Sequence, residues 1–589
     1  TMENNGDLDL NCHATGDVRL DTAIYQWITW DKNPKTRAQI EALLLDGQVE
    51  ELRRRLCSRM TFGTAGLRAA MGAGFALIND LTIIQSTQGM YKYLARSFPD
   101  FSSRGIVVGY DTRAQEASGC NSERLARLTA AVMLCKDIPV FLFSTYVPTP
   151  FVVYWHNGAQ ISSPNDKEIL KCIEESSEPW SESWNESLAD NSPLRSDPLR
   201  EISKKYMEDL SSVCFHRELN TKSPLKFVHS SFHGVGHDYV QQAFRAFGFP
   251  PPIPVPEQKD PDPNFSTVSC PNPEEGESVL ELSLRLAERE NATIVMATDP
   301  DADRLAVAEQ SDRCGWKVFT GNELAALLGW WMLFNWKETH SDPADRERMY
   351  MLATTVSSKI LKAFARIEGF HFEETLPGFK WIGKKIHELA KTGNEVIFAF
   401  EESIGFLCGS MVPDKDGVSA AVVVAEMASY LYNKNLTLHQ QLENIFEIYG
   451  YHISTTSYVI CHDPPTVKRI FTRLRNFEGE NTYPRSSGGH SIVDVRDVTT
   501  GYDSSQPDKL CVLPMTKSSQ MITFTLQNGI VATLRTSGTE PKIKFYTEFC
   551  APPGKSDISS LEEELKKVTD TLVEEFLEPD KNNLIRRSI

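Results

Sequence analysis

Gly105-Ile-Val-Val-Gly-Tyr110 is a short apolar run of strand-forming residues. Glu123–Cys135 follows with apolar residues at helical spacing, and Ile138-Pro-Val-Phe-Leu-Phe143 is a second strand-like run. Strand, amphipathic helix, strand is the order of a parallel sheet covered by helices, because parallel neighbours need a crossover long enough to hold a helix. The theme recurs. Leu225–His229 leads into the turn Gly234-Val-Gly236 and the helical pattern His237–Phe247, and the helix Val279–Glu290 precedes the strand Thr293–Ala297. Later, Tyr350–Thr354, the helix Ser357–Ile367 and the strand Val396–Phe400 repeat it. Proline-rich Pro250–Pro263 reads as an exposed connection inside the second of these units. A last block differs in texture, with strands at Thr455–Cys461, Ile522–Leu526 and Gly529–Leu534 and a closing helix near Ser560–Phe576.

The 589 residues exceed what one core organises, and at roughly 150 residues per domain they imply about four domains. Boundaries are expected near residues 220, 325 and 450, giving segments 1–220, 221–325, 326–450 and 451–589. Apolar residues make up 41% and charged residues 24%, as in ordinary globular proteins. A formal net charge of −18 argues against nucleic acid or an anionic membrane as partner. An anionic substrate must then meet a local concentration of arginine and lysine. The twelve cysteines are scattered without a Cys-x-x-Cys pair, the pattern of reduced thiols in a cytosolic protein. The polar, acidic start is not that of a signal peptide. The longest apolar run, Leu324–Trp336, is too short to span a bilayer and reads as a buried helix.

Between the strand Thr293–Ala297 and the apolar Leu305–Ala308 lies Asp299-Pro-Asp-Ala-Asp-Arg304. In a tight turn Asp299, Asp301 and Asp303 converge on one hard cation. Carboxylate oxygens suit Mg²⁺, which completes its octahedron with water and phosphate oxygen. Arg304 adds a planar fork for a phosphate beside that metal. A solvated acidic turn is the alternative, and the apolar flanks oppose it. Arg535-Thr-Ser-Gly-Thr-Glu-Pro-Lys542 has the make-up of a phosphate cradle. Gly538 lets backbone N–H groups approach an anion, Ser537 and Thr539 add hydroxyl donors, and Arg535, Lys542 and Lys544 supply charge. A plain turn between strands is the other reading. Ala399-Phe-Glu-Glu-Ser-Ile-Gly405 puts two carboxylates and a hydroxyl at the end of an apolar strand, where loops of parallel sheets meet ligands. Such acceptors suit sugar hydroxyls, while a helix N-cap formed by Ser403 or Glu402 would leave the same trace. Phe62-Gly-Thr-Ala-Gly-Leu-Arg68, Gly378-Phe-Lys-Trp381 and Asp414-Lys-Asp-Gly417 each carry a cation in a turn and say little alone.

Taken in order, FGTAGLR, DPDADR, GFKWIG, FEESIG and RTSGTEPK resemble the α-D-phosphohexomutase family from about Arg53 to the C-terminal helix. Pro254–Pro263, Gly321–Trp331 and Ser518–Thr525 are similar to the branch that holds pentose-phosphate mutases together with enzymes that make a hexose bisphosphate, and Leu376–Gly383, with Pro377 before the glycine, resembles the latter. The resemblance implies an α/β enzyme of four domains around a central cleft, three related α/β domains with mixed sheets and a C-terminal α+β domain. It implies Mg²⁺ on Asp299, Asp301 and Asp303, and phosphoryl contacts from Arg304 and Arg68. Glu401 and Ser403 would hold sugar hydroxyls, and Gly378 with Lys380 would help choose the sugar's orientation. Lys415 matches the lysine assigned as general acid/base or phosphate contact, and Arg535, Ser537, Thr539 and Lys542 would grip the non-reacting phosphate. The implied reaction is phosphoryl transfer through a phosphoserine, from 1,3-bisphosphoglycerate to glucose 1-phosphate or glucose 6-phosphate. A sugar-phosphate mutase and a non-catalytic sugar-phosphate-binding protein are the alternatives. Implied partners are small-molecule sugar phosphates and bisphosphates, with no nucleic acid and no membrane.

The family's serine sits in a Thr-Ala-Ser-His-Asn loop of the first domain, and no Ser-His-Asn occurs in this chain. Val147-Pro-Thr-Pro-Phe151 is followed almost at once by Tyr154-Trp-His-Asn-Gly-Ala-Gln160, which in relatives lies beyond that loop. A helix, a strand and the loop are missing by this comparison. His156-Asn157 aligns with variable residues between Trp155 and Gly158. Ser162 and Ser163 fill a place that family members also fill after their nucleophile, without a nucleophile's activating surroundings. The expectation is a first sheet short of one strand, with exposed apolar flanks, in a chain that is destabilised and inactive.

Overall fold

Asp17 and Asn33 begin the helical layer with which the described chain opens. The computed structural model describes residues 15–587 except 64–65, 153–159, 313–314, 539 and 555–556. Asp17 accepts hydrogen bonds from the Arg19 and Leu20 amides and so caps α1 (Val18–Trp30). Asn33 caps α2 (Pro34–Leu45), whose proline sits in the first turn, where a missing N–H loses no helical bond. With α3 (Val49–Leu56) these helices bury Leu20, Ile24, Trp27, Ile40 and Leu52 in one cluster. The chain divides into two compact units. Unit 1 comprises Thr1–Val318 and Met411–Glu426, and unit 2 comprises Phe319–Ser410 and Met427–Ile589.

Unit 1 carries two main sheets. In the first, α4 (Asp80–Ser97), started by a capping box between Asn79 and Thr82, lies with α5 (Ser122–Leu134) against β1 (Ile106–Val108) and β2 (Val140–Leu142). Ile106, Val108, Val140 and Leu142 point into that cluster. Val107 and Phe141, on the opposite face, remain 39% and 38% exposed. Gly89 of α4 admits α6 (Asn165–Glu174), since a Cβ there would lie 2.4 Å from the Ile173 Cα. The sheet ends with β3 (Arg195–Ser196), parallel to β2, in the order β1-β2-β3. After α7 (Leu199–Leu210) comes the second sheet. Its elements are β4 (Phe227–Ser230), α8 (Gly236–Ala246), β5 (Ile253–Pro254), α9 (Glu277–Glu290), β6 (Ile294–Thr298), β7 (Leu305–Gln310) and β8 (Trp316–Val318). The order is β8-β7-β6-β4-β5. β4 and β6 are buried along their whole length, as central strands covered on both faces are.

Pro250–Pro263 is a correction to the sequence reading. It contains the edge strand β5, and Val255 and Gln258 are buried. A proline is tolerated there because an edge strand has one side that donates to no ladder.

Unit 2 begins with α10 (Gly321–Thr339), fixed by a Thr320–Glu323 capping box and burying Leu324, Leu327, Leu328 and Trp331. Its first sheet is built from β9 (Met349–Thr354), α11 (Ile360–Glu368), β10 (His371–Thr375), α12 (Phe379–Lys391), β11 (Glu395–Glu401) and β12 (Gly405–Cys408), in the order β10-β9-β11-β12. The helix α13 (Leu438–Tyr449) precedes an antiparallel sheet. That sheet contains β13 (His452–Ile460), β14 (His490–Asp497), β15 (Met521–Leu526), β16 (Ile530–Thr536) and β17 (Lys542–Cys550), ordered β14-β15-β16-β17-β13. The closing helix α14 (Ile558–Leu577) seats Phe576 on Phe524, with ring centroids 5.0 Å apart. Among the described residues no helix is long and apolar enough to cross a membrane.

The two mixed sheets share one plan. The second strand pairs with the first, the first with the third, all parallel, and an antiparallel fourth strand closes a hairpin on the third. β1 and β2 stand as first and second strands in the remaining sheet. Among the described residues no strand pairs with β1 on the side where the third strand lies in the other two.

Candidate metal and phosphate sites

The acidic loop is the turn between the third strand β6 and the antiparallel β7, which pair from Ile294–Glu309 to Thr298–Leu305. Carboxylate oxygens of Asp299, Asp301 and Asp303 all lie within 4.8 Å of one another. Asp299 and Asp303 are buried, 4% and 6% exposed. Burial first, and then the charges of Asp303 and Asp301, push the Asp299 carboxyl well above the usual carboxylate range. Asp303 is pushed up to about 6 by burial and by Asp301, against the pull of Lys415. Burial also raises Asp301, but hydrogen bonds with Asp299 and Thr149 and the charges of Arg113 and Lys415 outweigh it and leave this carboxyl below its ordinary value. Three converging hard oxygen donors that repel one another in a dry loop fit a divalent cation, whose charge would remove the repulsion.

Cations surround the loop. Lys415 Nζ lies 3.3 Å from Asp303 and 3.9 Å from Asp414, with its side chain 16% exposed. Arg304 donates from Nε to Asp299 at 3.0 Å and holds Nη1 3.6 Å from Glu274, so part of the fork expected for phosphate is engaged by carboxylates. Arg68 follows the small hairpin Phe62–Gly63 and Gly66–Leu67 and is exposed. Among the described residues it makes no ion pair with the acidic loop. Sequence reasoning missed Thr149, whose amide donates to the Asp301 carbonyl at 3.0 Å and whose hydroxyl donates to the Asp301 carboxylate at 2.7 Å. It also missed Asp414, which accepts from Gln160 at 3.3 Å. A threonine between prolines and an aspartate beside a lysine give no signal until the fold brings them to the loop.

In unit 2, Glu401 ends β11 opposite Gly405 of β12, so Ala399–Gly405 is a hairpin turn and not the helix N-cap weighed above. Ile404 takes φ +59° to close it. Glu402 turns to Ser357 and Thr354, whose hydroxyls lie 3.2 and 3.4 Å from its carboxylate, while Glu401 and Ser403 are half-buried at the turn. Gly378, with φ +112°, is the residue before α12, and Lys380 in the first turn holds Nζ 5.5 Å from the Trp381 ring.

The basic turn joins β16 to β17, with Arg535 directly opposite Lys544 in the ladder. Like charges facing each other across strands destabilise a sheet unless an anion sits between them. Among the described residues no carboxylate pairs with either. Ser537 donates its amide to the Lys542 carbonyl at 3.0 Å, and its hydroxyl accepts from the Glu540 amide at 3.3 Å. Lys542 reaches Glu540 at 3.3 Å and lies 4.1 Å above the Tyr458 ring. A Cβ on Gly538 would meet nothing within 4 Å, so that backbone faces open space. Thr539 lies outside the described residues.

Comparison with known proteins adds to this geometry. The family described as phosphoglucomutase/phosphomannomutase matches through its alpha/beta/alpha domain I at residues 59–155, domain II at 204–313 and domain III at 320–449. The chain is 67% identical to glucose 1,6-bisphosphate synthase of Homo sapiens over 616 aligned positions, covering 99% of each protein. It is 54% identical to phosphopentomutase of Mus musculus over 596 positions, covering 96% of each. The first of these alignments is 27 positions longer than the 589 residues of this chain, so the human protein carries residues absent here. Among solved structures, a Thermus thermophilus protein described as a putative phosphomannomutase matches with TM-score 0.60 at 17% identity, covering 88% of this chain and 99% of that one. Paramecium pp63/parafusin in its open form matches with TM-score 0.62 at 14% identity, covering 86% and 93%.

Proposed function

Because the chain belongs to the phosphoglucomutase/phosphomannomutase family, also called the α-D-phosphohexomutases, we propose that it is built for Mg²⁺-dependent phosphoryl transfer of the glucose 1,6-bisphosphate synthase type. In this reading 1,3-bisphosphoglycerate is the donor and glucose 1-phosphate or glucose 6-phosphate the acceptor. The converged trio Asp299, Asp301 and Asp303 beside Lys415 carries it. The three carboxylates would hold Mg²⁺, which when bound supplies charge stabilisation at the transferring phosphoryl oxygens. Lys415, whose ammonium lies beside Asp303, would add positive charge there and act as general acid/base or phosphate contact. Arg304 and Arg68 serve phosphoryl oxygens. Arg535, Ser537, Gly538, Thr539, Lys542 and Lys544 hold the second phosphate, Glu401 and Ser403 accept from sugar hydroxyls, and Gly378 with Lys380 sets sugar orientation. The protein works among small sugar phosphates in the cytosol, with domains divided near residues 220, 325 and 450.

The reading includes a defect: this chain lacks the serine that would carry the phosphoryl group, and so binds without turning over. In both complete mixed sheets a hairpin joins the third and fourth strands, with Asp299–Arg304 in one and Glu402–Ile404 in the other, the two loops this reading assigns to cation and sugar. The first sheet has no described strand at that place, and the human relative has residues this chain lacks. The two gaps are read as one. Ser163 is no substitute, since its hydroxyl is spent on Asp166 at the start of α6. A coupled assay of purified chain with Mg²⁺, 1,3-bisphosphoglycerate and glucose 1-phosphate should give no glucose 1,6-bisphosphate, and grafting in the residues of the human relative should restore it. Product from the ungrafted chain would refute the defect. The 54% identity to phosphopentomutase supports a second reading, a pentose- or hexose-phosphate mutase, which side-by-side rates of the grafted chain would decide.

A further inference from the structure

The acidic loop is held in a conformation that its own sequence does not favour. Ala302, fully buried between the carboxylates, has φ +59°, the left-handed region that a side chain disfavours. Such a residue keeps its conformation only where its surroundings impose it. Two backbone approaches do so. On one side Val235 N donates to the Pro300 carbonyl at 2.8 Å, and a Cβ on Gly234 would lie 2.3 Å from Pro300 Cα. On the other, Gly417 N donates to the Ala302 carbonyl at 3.1 Å, and a Cβ on Gly417 would lie 2.5 Å from the Arg304 oxygen and 2.8 Å from the Ala302 oxygen. Neither Gly234 nor Gly417 has positive φ, so proximity alone demands glycine there. The Gly417 side is anchored in turn. Asp416, 2% exposed, accepts from the Tyr206 hydroxyl at 2.5 Å and from the amides of Val418 and Ser419.

We propose that Gly417 and Gly234, with the Tyr206–Asp416 bond behind Gly417, are positioning residues for the cation site. They clamp Pro300 and Ala302 so that the three carboxylates converge, and they hold Lys415 in register with Asp303. This rests on the reading of the trio as a cation site. Mn²⁺ binding by the full chain, followed by electron paramagnetic resonance, tests it without any need for turnover. Gly417→Ala should weaken Mn²⁺ binding about tenfold or more, the usual effect of removing support behind metal ligands. Tyr206→Phe, which deletes one hydroxyl and leaves the packing, should weaken it at least about threefold with an unchanged far-ultraviolet spectrum. Wild-type affinity in a folded Gly417→Ala chain overturns the inference. If that variant does not fold, Tyr206→Phe decides: wild-type affinity overturns the proposal and a loss upholds it. A wild-type chain that takes up no Mn²⁺ removes the cation-site reading, and the inference with it.

Discussion

Asp303→Asn should reverse its effect on stability according to whether a divalent cation is present. Asp303 is 6% exposed, and burial with the neighbouring Asp301 charge moves its carboxyl from 3.8 to about 6. Because the folded value lies above the unfolded one, the folded chain binds more protons between these pH values. Stability therefore falls as pH rises through that window, and the penalty is complete above about 6. Two pKa units correspond to about 3 kcal/mol for holding this carboxylate ionised in metal-free protein at pH 8. Asparagine keeps the shape and drops the charge, at the loss of the Lys415 contact at 3.3 Å. Metal-free Asp303→Asn protein should thus be more stable than wild type by about 1–3 kcal/mol at pH 8. Saturating Mg²⁺ at a hundred times its dissociation constant stabilises the wild type by about 2.7 kcal/mol, and this gain should nearly vanish in the variant. Thermal melts of both proteins in EDTA and in Mg²⁺ measure all four states. A variant that melts below wild type in EDTA and keeps the full Mg²⁺ shift would refute both the repulsion argument and the ligand assignment.

Protons compete with the cation for Asp299 and Asp303, both raised, so Mg²⁺ affinity should climb as pH rises through about 6, where Asp303 gives up its proton. Calorimetry at three pH values checks this, and a flat profile contradicts it. Glu426 is 0% exposed and accepts from the Phe215 and His216 amides and the Asn220 side chain at 3.0, 3.1 and 2.7 Å. Glu426→Ala strands these donors and should cost about 3–5 kcal/mol in urea unfolding, against which a loss below about 1 kcal/mol would count. Arg535→Ala relieves the facing charges of Arg535 and Lys544, so it should leave the ligand-free protein at least as stable. The same change should weaken binding of glucose 1,6-bisphosphate about tenfold or more, and unchanged calorimetric affinity would exclude Arg535 from the phosphate site.

Strand and helix types were legible wherever apolar runs were long. β6 and β11 carry uninterrupted buried residues, and α10 buries the run Leu324–Trp336 as read. A two-residue strand has no periodicity to read, so Ile253–Pro254 passed for loop among its prolines. The acidic trio was legible because its three carboxylates lie within five residues of one another. What holds it was not. Thr149, Gly234 and Gly417 reach the loop from far along the chain, and a glycine needed only for closeness looks like any other glycine in a turn. At Glu401–Gly405 the sequence left a strand-end loop and a helix cap open together, because both begin with a polar residue after an apolar strand, and the strand pairing makes it a hairpin.

Unit 1 is not finished when Val318 has been made, since it takes Met411–Glu426 from further along the chain. A ribosome adding 5–20 residues per second needs about 5–20 s to travel from Val318 to Glu426. During that interval the nascent acidic loop lacks the backbone amide of Gly417 and the ammonium of Lys415. Chaperone engagement on the emerging chain should accordingly persist until Glu426 has cleared the exit tunnel, and a protein truncated after Val318 should be a client for degradation and not a free-standing domain.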